Sequence, residues 1–128
     1  VMFKPNARIQ TAIAANAGWY TMPTYDEGFP YGLEGTSLNE RSLNHSFGKN
    51  LIILLGSNDT DENHVYLRKT KEAMNQGRHR FERGQKFFEV ANYFANKKNM
   101  KINWQLKTVP NVGHSNSKMS RHAVKCRK

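Results

Sequence analysis

The sequence is poor in cysteine and lacks a long hydrophobic run. Its single cysteine, Cys126, excludes an internal disulfide and a cysteine-rich zinc site. The longest aliphatic run covers only residues 51–55, and so short a run cannot cross a hydrocarbon layer of about 30 Å. No apolar stretch typical of a signal peptide follows Val1. We therefore expect no membrane span, and the localisation of the protein stays open.

Acidic residues are also scarce, and they are unevenly distributed. The 128-residue chain carries a formal net charge of +10. Residues 1–64 hold four basic and seven acidic side chains, whereas residues 65–128 hold sixteen basic and three acidic ones. Such a balance suits a polyanionic partner such as nucleic acid. The RNP1 pattern and zinc-finger spacing of nucleic-acid readers are absent, however, so the charge does not favour that partner over a solvated basic face.

Hydrophobic periodicity predicts strands that alternate with helices. The predicted strands lie in the first half of 11–18, over 50–55 and over 102–109. The predicted helices lie over 65–76, 79–99 and 117–128, and 37–47 is ambiguous between loop and short helix. In the third strand, alternation puts Ile102, Trp104 and Leu106 on one face, with Thr108 as the next position.

This order of elements predicts an α/β fold with about three parallel strands and crossover helices. The length corresponds to a single domain, 1–128. Between the first two strands, residues 19–36 combine aromatic side chains with closely spaced proline and glycine, a composition that forbids a regular helix and predicts an aromatic loop.

Chemically useful side chains follow two of the predicted strands. Asp59 and Asp61 come directly after the strand over 50–55, and His114 follows the strand over 102–109. In open α/β sheets the functional site lies beyond the carboxyl ends of the strands. If the two strands are neighbours, Asp59 and His114 face each other. An acid that orients a histidine is the supporting half of a nucleophile–base–acid triad.

These residues resemble the C-terminal portion of an α/β-hydrolase of the esterase and depolymerase-like branch. Segment 54–59, Leu-Leu-Gly-Ser-Asn-Asp, is similar to the strand and acid loop of that branch, and segment 109–115, Val-Pro-Asn-Val-Gly-His-Ser, is similar to its histidine loop. Segment 76–84 is similar to the stretch before its crossover helix, and segment 14–23 to its strand and aromatic loop. The resemblance covers about residues 11 to 120.

The resemblance implies a serine hydrolase that cleaves carboxylic esters. His114 would act as the base and Asp59 as the acid that orients it, with Asp61 as the alternative acid. It implies no metal and no organic cofactor. Aromatic side chains of the loop would line the substrate pocket, namely Trp19, Tyr20, Phe29 and Tyr31.

The nucleophile of this family is missing from the sequence. The family carries its serine in a G-x-S-x-G elbow that precedes the acid and the histidine, and the nearest segment here, 35–39, fails at its last position. The resemblance therefore implies that the serine and the oxyanion-hole loop precede Val1, in an N-terminal half that this chain needs as its partner. By itself the chain is expected to be inactive. Two alternatives stay open: a small basic domain that binds nucleic acid or another polyanion, and a non-catalytic hydrolase relative.

Overall fold

The fold is known from a computed structural model, which describes residues 11–15 and 17–114. The predicted helix over 117–128, which contains Cys126, lies outside the described residues. The elements in chain order are β1 (Thr11–Ala15), α1 (Glu40–Gly48), β2 (Asn50–Gly56), α2 (Lys71–Gln76), α3 (Arg80–Lys97) and β3 (Trp104–Val109). The ambiguous segment 37–47 thus contains most of a helix, which begins where the Asn39 side chain accepts a hydrogen bond from the Ser42 N–H.

The three strands form one parallel sheet with β2 in the centre. In register, Ile13 of β1 pairs with Ile52, and Leu106 of β3 pairs with Ile53. The predicted α/β architecture is confirmed. The continuous aliphatic run of β2 is explained by this central position, because a strand with neighbours on both edges and covered faces has no polar side to present.

The main hydrophobic core lies between α3 and the sheet. Phe87, Ala91 and Ala95 lie on the buried face of α3, and Leu55 of β2 is also part of this core. Gly84 permits the close approach of helix and strand, since a Cβ atom there would collide with the Leu55 side chain. Burial of a side chain as large as that of Leu55 or Phe87 contributes about 1.5–3 kcal/mol.

One predicted helix begins later than expected. The segment 65–70 is not helical, and α2 starts at Lys71 because the Thr70 side chain accepts a hydrogen bond from the Ala73 N–H and caps it. Val65 and Tyr66 are each 82% exposed, so burial of their apolar side chains does not stabilise a helical turn in this segment. Among the helices of the described part, none is both long and apolar enough to cross a bilayer.

The other boundaries differ by a few residues. The helix predicted over 79–99 begins at Arg80, with the His79 side chain as its cap, and ends at Lys97. The third strand begins at Trp104, and Thr108 continues the predicted alternation in register with Leu55, although its side chain is exposed; Val109 is buried on the opposite face of the sheet. β3 ends at Val109, and the chain then enters the loop that carries His114.

Candidate active site

Backbone hydrogen bonds join the two loops that follow β2 and β3. The Ser57 N–H donates to the Val109 carbonyl at 2.9 Å, and the Asn58 N–H donates to the Val112 carbonyl at 2.9 Å. The Asn111 N–H in turn donates to Ser57 Oγ at 2.8 Å. The pairing of the two strands therefore continues beyond the sheet, and it sets the spacing between the acid loop (57–63) and the histidine loop (110–114).

Gly56, the last residue of β2, is required by this close approach. A Cβ atom at Gly56 would collide with the Val112 carbonyl of the histidine loop. A larger residue would push the loops apart, so the glycine belongs to the construction of the site and not only to the end of a strand.

Asp59 is fixed by the backbone on both sides. Its N–H donates to the Gly56 carbonyl at 3.1 Å, and its own carbonyl accepts from the Phe81 N–H at 3.1 Å. The second bond ties the acid loop to the first turn of α3. As a result the Asp59 side chain is only 5% exposed.

The structure brings Asp59 and His114 together at the carboxyl edge of the sheet. Oδ2 of Asp59 lies 3.5 Å from Nδ1 of His114, whose side chain is 31% exposed. This separation is longer than the 2.6–3.2 Å of a formed catalytic hydrogen bond, although such bonds are often loose without substrate. Within the part of the chain that the structure describes, Oδ2 is a buried oxygen with no hydrogen-bond partner. Asp61, by contrast, accepts from the Asn63 N–H at 2.9 Å in an exposed turn.

Two residues that the sequence analysis did not assign to the site complete the cluster. Nη1 of Arg80 lies 3.7 Å from Oδ1 of Asp59, and both side chains are almost fully buried. Nη2 of Arg80 lies 3.4 Å from Nδ1 of His64, and the His64 ring lies 5.3 Å from the His114 ring in an edge-to-face arrangement. A carboxylate, a guanidinium and two imidazoles thus meet at one end of the sheet.

The other basic side chains at the start of α3 have structural partners. Arg78 pairs with Glu82 at 3.3 Å. Arg83 is fully buried and donates to the carbonyls of Gly77 and Gly18 at 2.8 and 2.7 Å, which ties the aromatic loop to α3. Burial, together with the nearby charge of Arg80, lowers the pKa of the Arg83 guanidinium from its usual value.

An open cleft lies beside this cluster. It has a volume of about 570 Å³ and is lined by Gly18, Trp19, Tyr66, Arg68, Arg80 and His114. Of the four predicted pocket aromatics, Trp19 lines the cleft and Tyr31 contacts its Arg68.

The other two aromatics lie elsewhere. Tyr20 is stacked on Phe87 in the core at 4.5 Å between ring centroids, where burial and the charge of Asp59 raise the pKa of its hydroxyl. Phe29 is 65% exposed and is not part of the cleft wall.

Two solved structures are similar to almost the whole of this chain, although no protein-family model and no curated protein matches it. One is poly(aspartic acid) hydrolase-1 from Sphingomonas sp. KT-1, with 44% identity, a TM-score of 0.93 and coverage of 97% of this chain and 47% of that one. The other is LpqC, the poly(3-hydroxybutyrate) depolymerase from Bordetella parapertussis, with 33% identity, a TM-score of 0.92 and coverage of 98% and 43%.

The chain belongs to the α/β-hydrolase superfamily. This α/β-hydrolase chain spans a little under half the length of the two structures that it matches. The resemblance predicted from the sequence and its fold class are confirmed. The catalytic roles of Asp59 and His114 and the substrate-binding role of the aromatics stay predictions. In residues 11–15 and 17–114, no group of three or more His, Cys, Asp and Glu side chains is placed to hold a metal ion.

Proposed function

We propose that this chain supplies the acid and the base of a Ser-His-Asp triad that hydrolyses carboxylic esters, with the serine contributed by sequence before Val1. The observation that carries the proposal is the 3.5 Å separation of Asp59 Oδ2 and His114 Nδ1, at the ends of two paired parallel strands. This is the edge at which α/β-hydrolases assemble their triads, and the likeness to a hydrolase and a depolymerase supports the same reaction class.

Each residue has a definite part in the proposed mechanism. Nδ1 of His114 faces Asp59, which leaves Nε2 to accept the proton as the serine oxygen attacks the acyl carbon. His114 then returns the proton to the departing alkoxide, and water repeats both steps to release the acid and free the serine. Asp59 holds the tautomer and stabilises the imidazolium that forms in each half-reaction. Arg80 offsets the cost of burying the carboxylate.

The substrate is proposed to be a polymer. Poly(3-hydroxybutyrate) is joined by ester bonds and poly(aspartic acid) by amide bonds, and both are cleaved through a tetrahedral intermediate at an acyl carbon. One triad can therefore cleave either polymer. The groups of the polymer that flank the scissile bond then determine which polymer is preferred. The cleft beside His114 is open to solvent among the described residues, which leaves room for a long substrate.

The test uses the full-length protein that contains this chain. We expect hydrolysis of p-nitrophenyl hexanoate and labelling of one serine by a fluorophosphonate probe. His114→Ala and Asp59→Asn should each lower kcat about 10³–10⁴-fold, since a triad acts as a unit. His45→Ala, which removes an exposed imidazole on α1, is the matched control and should keep wild-type activity.

The same set of variants separates the two candidate acids. A larger loss in Asp61→Asn than in Asp59→Asn would transfer the acid role to Asp61. Full activity in His114→Ala, or an unlabelled wild-type protein that does not hydrolyse the ester, would refute the proposed function.

A further inference from the structure

Arg68 is held in a defined position on the cleft wall although it is exposed. Its Nε donates to the Tyr31 hydroxyl at 2.9 Å, and its guanidinium carbon lies 4.8 Å from the centroid of the Trp19 ring. The Tyr31 hydroxyl is itself bonded to Thr70 Oγ1 at 2.8 Å. Stacking on an aromatic ring and a directed hydrogen bond restrict the guanidinium before any ligand arrives.

No carboxylate neutralises this guanidinium within the described ranges. Arg78 and Arg80 pair there with Glu82 and Asp59, whereas Arg68 has only its aromatic and hydroxyl contacts. Because Nε is engaged by Tyr31, the two terminal nitrogens remain to donate to a ligand. A planar guanidinium in this state matches the geometry of a carboxylate better than any other side chain does.

The rest of the cleft wall reinforces the positive charge. Its lining includes a second arginine, Arg80, and the His114 ring, and no acidic side chain is among the residues that line it. The charge of Arg80 is already paired with Asp59, so Arg68 provides the uncompensated charge. This uncompensated charge gives the wall a positive potential that attracts an anionic ligand.

The same wall is poorly suited to an uncharged aliphatic chain. Apolar ligands gain affinity by covering aromatic faces, but the guanidinium of Arg68 lies over the Trp19 ring and within 5.5 Å of the Tyr31 ring centroid. A neutral polyester would have to displace Arg68 from its aromatic partners or leave the guanidinium without a counter-charge. A carboxylate on the substrate avoids both costs.

We infer that the cleft beside His114 is a substrate subsite for a polymer whose repeat carries a free carboxylate, and that Arg68 binds that carboxylate. This inference rests on the proposed function and narrows its substrate class to polyanions. The subsite would set the register of the bound polymer, because a polymer carboxylate held by Arg68 determines which acyl carbon lies next to His114.

A pair of matched esters tests the inference. p-Nitrophenyl hydrogen adipate and p-nitrophenyl hexanoate have acyl groups of equal carbon number and differ by a terminal carboxylate. In the full-length protein, Arg68→Gln should lower kcat/KM for the adipate ester about 10- to 100-fold, as expected for a lost hydrogen bond to a charged group. The hexanoate ester should lose far less or even gain, because removal of Arg68 uncovers the aromatic rings for a neutral chain, and Arg68→Lys should restore part of the loss on the adipate ester.

Arg41→Gln is the matched control, because it removes the same charge at a distance from the cleft. Arg41 follows Glu40, which pairs with Lys98 just beyond the far end of α3 from Arg80. Equal losses in Arg41→Gln and Arg68→Gln would indicate general attraction by net charge and would overturn the subsite. Equal losses on both esters in Arg68→Gln would overturn it as well.

A binding measurement separates failure of the subsite from failure of the proposed function. Fluorescence anisotropy of a fluorescein-labelled oligo(aspartate) reports binding without hydrolysis. Weaker binding in Arg68→Gln than in Arg41→Gln supports the subsite even in a protein that cleaves neither ester and labels no serine. Indistinguishable affinities of the wild type and Arg68→Gln would refute it even in an active esterase.

Discussion

The acid loop and the histidine loop present their functional side chains in opposite ways. Asp59 is bonded through its backbone to Gly56 and to Phe81 of α3, and its side chain is buried against Arg80. His114 is carried by a loop that depends on the acid loop for its bonds, and its ring faces the open cleft. The acid is therefore part of the structural framework, whereas the histidine is displayed on its edge.

In the proposed triad, two substitutions can therefore cause equal losses of activity at unequal structural cost. A triad needs a fixed acid to hold the tautomer of the histidine and an accessible histidine to reach the substrate. Burial keeps the acid Asp59 fixed, and exposure lets His114 reach the substrate. Removal of either side chain should abolish catalysis, and only removal of the buried one should weaken the fold.

The strongest test compares Asp59→Asn with His114→Asn. We expect Asp59→Asn to lower the free energy of unfolding by about 3 kcal/mol, because it leaves the buried guanidinium of Arg80 without its counter-charge. His114→Asn should change it by less than about 0.5 kcal/mol, as for most exposed positions. Urea denaturation followed by circular dichroism measures both. Equal destabilisation would show that the two loops are not distinct in this way.

Gly56→Ala tests the close contact between the acid loop and the histidine loop. The added methyl group would collide with the Val112 carbonyl, and we expect destabilisation of about 2 kcal/mol together with a fall in kcat as the histidine loop shifts. Gly28→Ala is the control, since a Cβ atom there meets nothing within 4 Å. A Gly56→Ala protein with wild-type stability would mean that the loops separate without cost.

Ser57→Ala removes one bond between the loops and leaves the acid in place. The Asn111 N–H would lose its acceptor, at a cost of about 1 kcal/mol in the free energy of unfolding. Because the lost bond supports the histidine loop, we expect a small decrease in the midpoint temperature of thermal unfolding. Steady-state kinetics should show a modest fall in kcat. Ser37→Ala, at an exposed position, should show neither change.

The smallest expected effect concerns the first turn of α3, which supports the acid loop through Phe81. Partial desolvation raises the pKa of Glu82, but hydrogen bonds from the backbone N–H and guanidinium of Arg78 outweigh it, and the net pKa is lowered below the usual 4.5. Its contribution to stability is therefore present above about pH 4.5 and is lost as the pH falls through the lowered pKa.

Glu82→Gln tests the direction of this pKa shift. The variant should be slightly less stable than the wild type at neutral pH, by about 0.3 kcal/mol for so exposed a pair. The difference should vanish in acid and shrink in 1 M salt. A difference that grows as the pH falls would contradict the assigned direction of the pKa shift.

Local patterns predicted the framework well and the turns poorly. The aliphatic run of β2 and the helical spacing of Phe87, Ala91 and Ala95 reflect burial on a regular element, so they can be recognised without a structure. The segment 65–70 was wrongly predicted as helix, because its apolar residues Val65 and Tyr66 lie on the surface and the cap at Thr70 competes with the helical pattern.

The candidate site was predicted in part. Chain order placed a carboxylate and an imidazole after successive strands, and parallel pairing of those strands was enough to bring them to one edge. Arg80 and His64 were not assigned to the site, since neither lies in the segments that resemble the acid loop and the histidine loop. Their signal in the sequence was weak: His64 follows Asp59 by five residues in a loop, and Arg80 lies 21 residues beyond Asp59, so only the packing of α3 brings its guanidinium to the carboxylate.

Chain order alone was enough to predict that Asp59 and His114 emerge at the same edge of a parallel sheet, because the direction of a parallel strand dictates where its loop begins. The neighbours that those two residues meet depend instead on the packing of the whole domain. The packing of α3 on β2 brings Arg80 to the buried carboxylate, and it sends Tyr20 into the core while the adjacent Trp19 faces the cleft. Such contacts depend on how elements distant in the chain pack together, and no local pattern of residues encodes that packing.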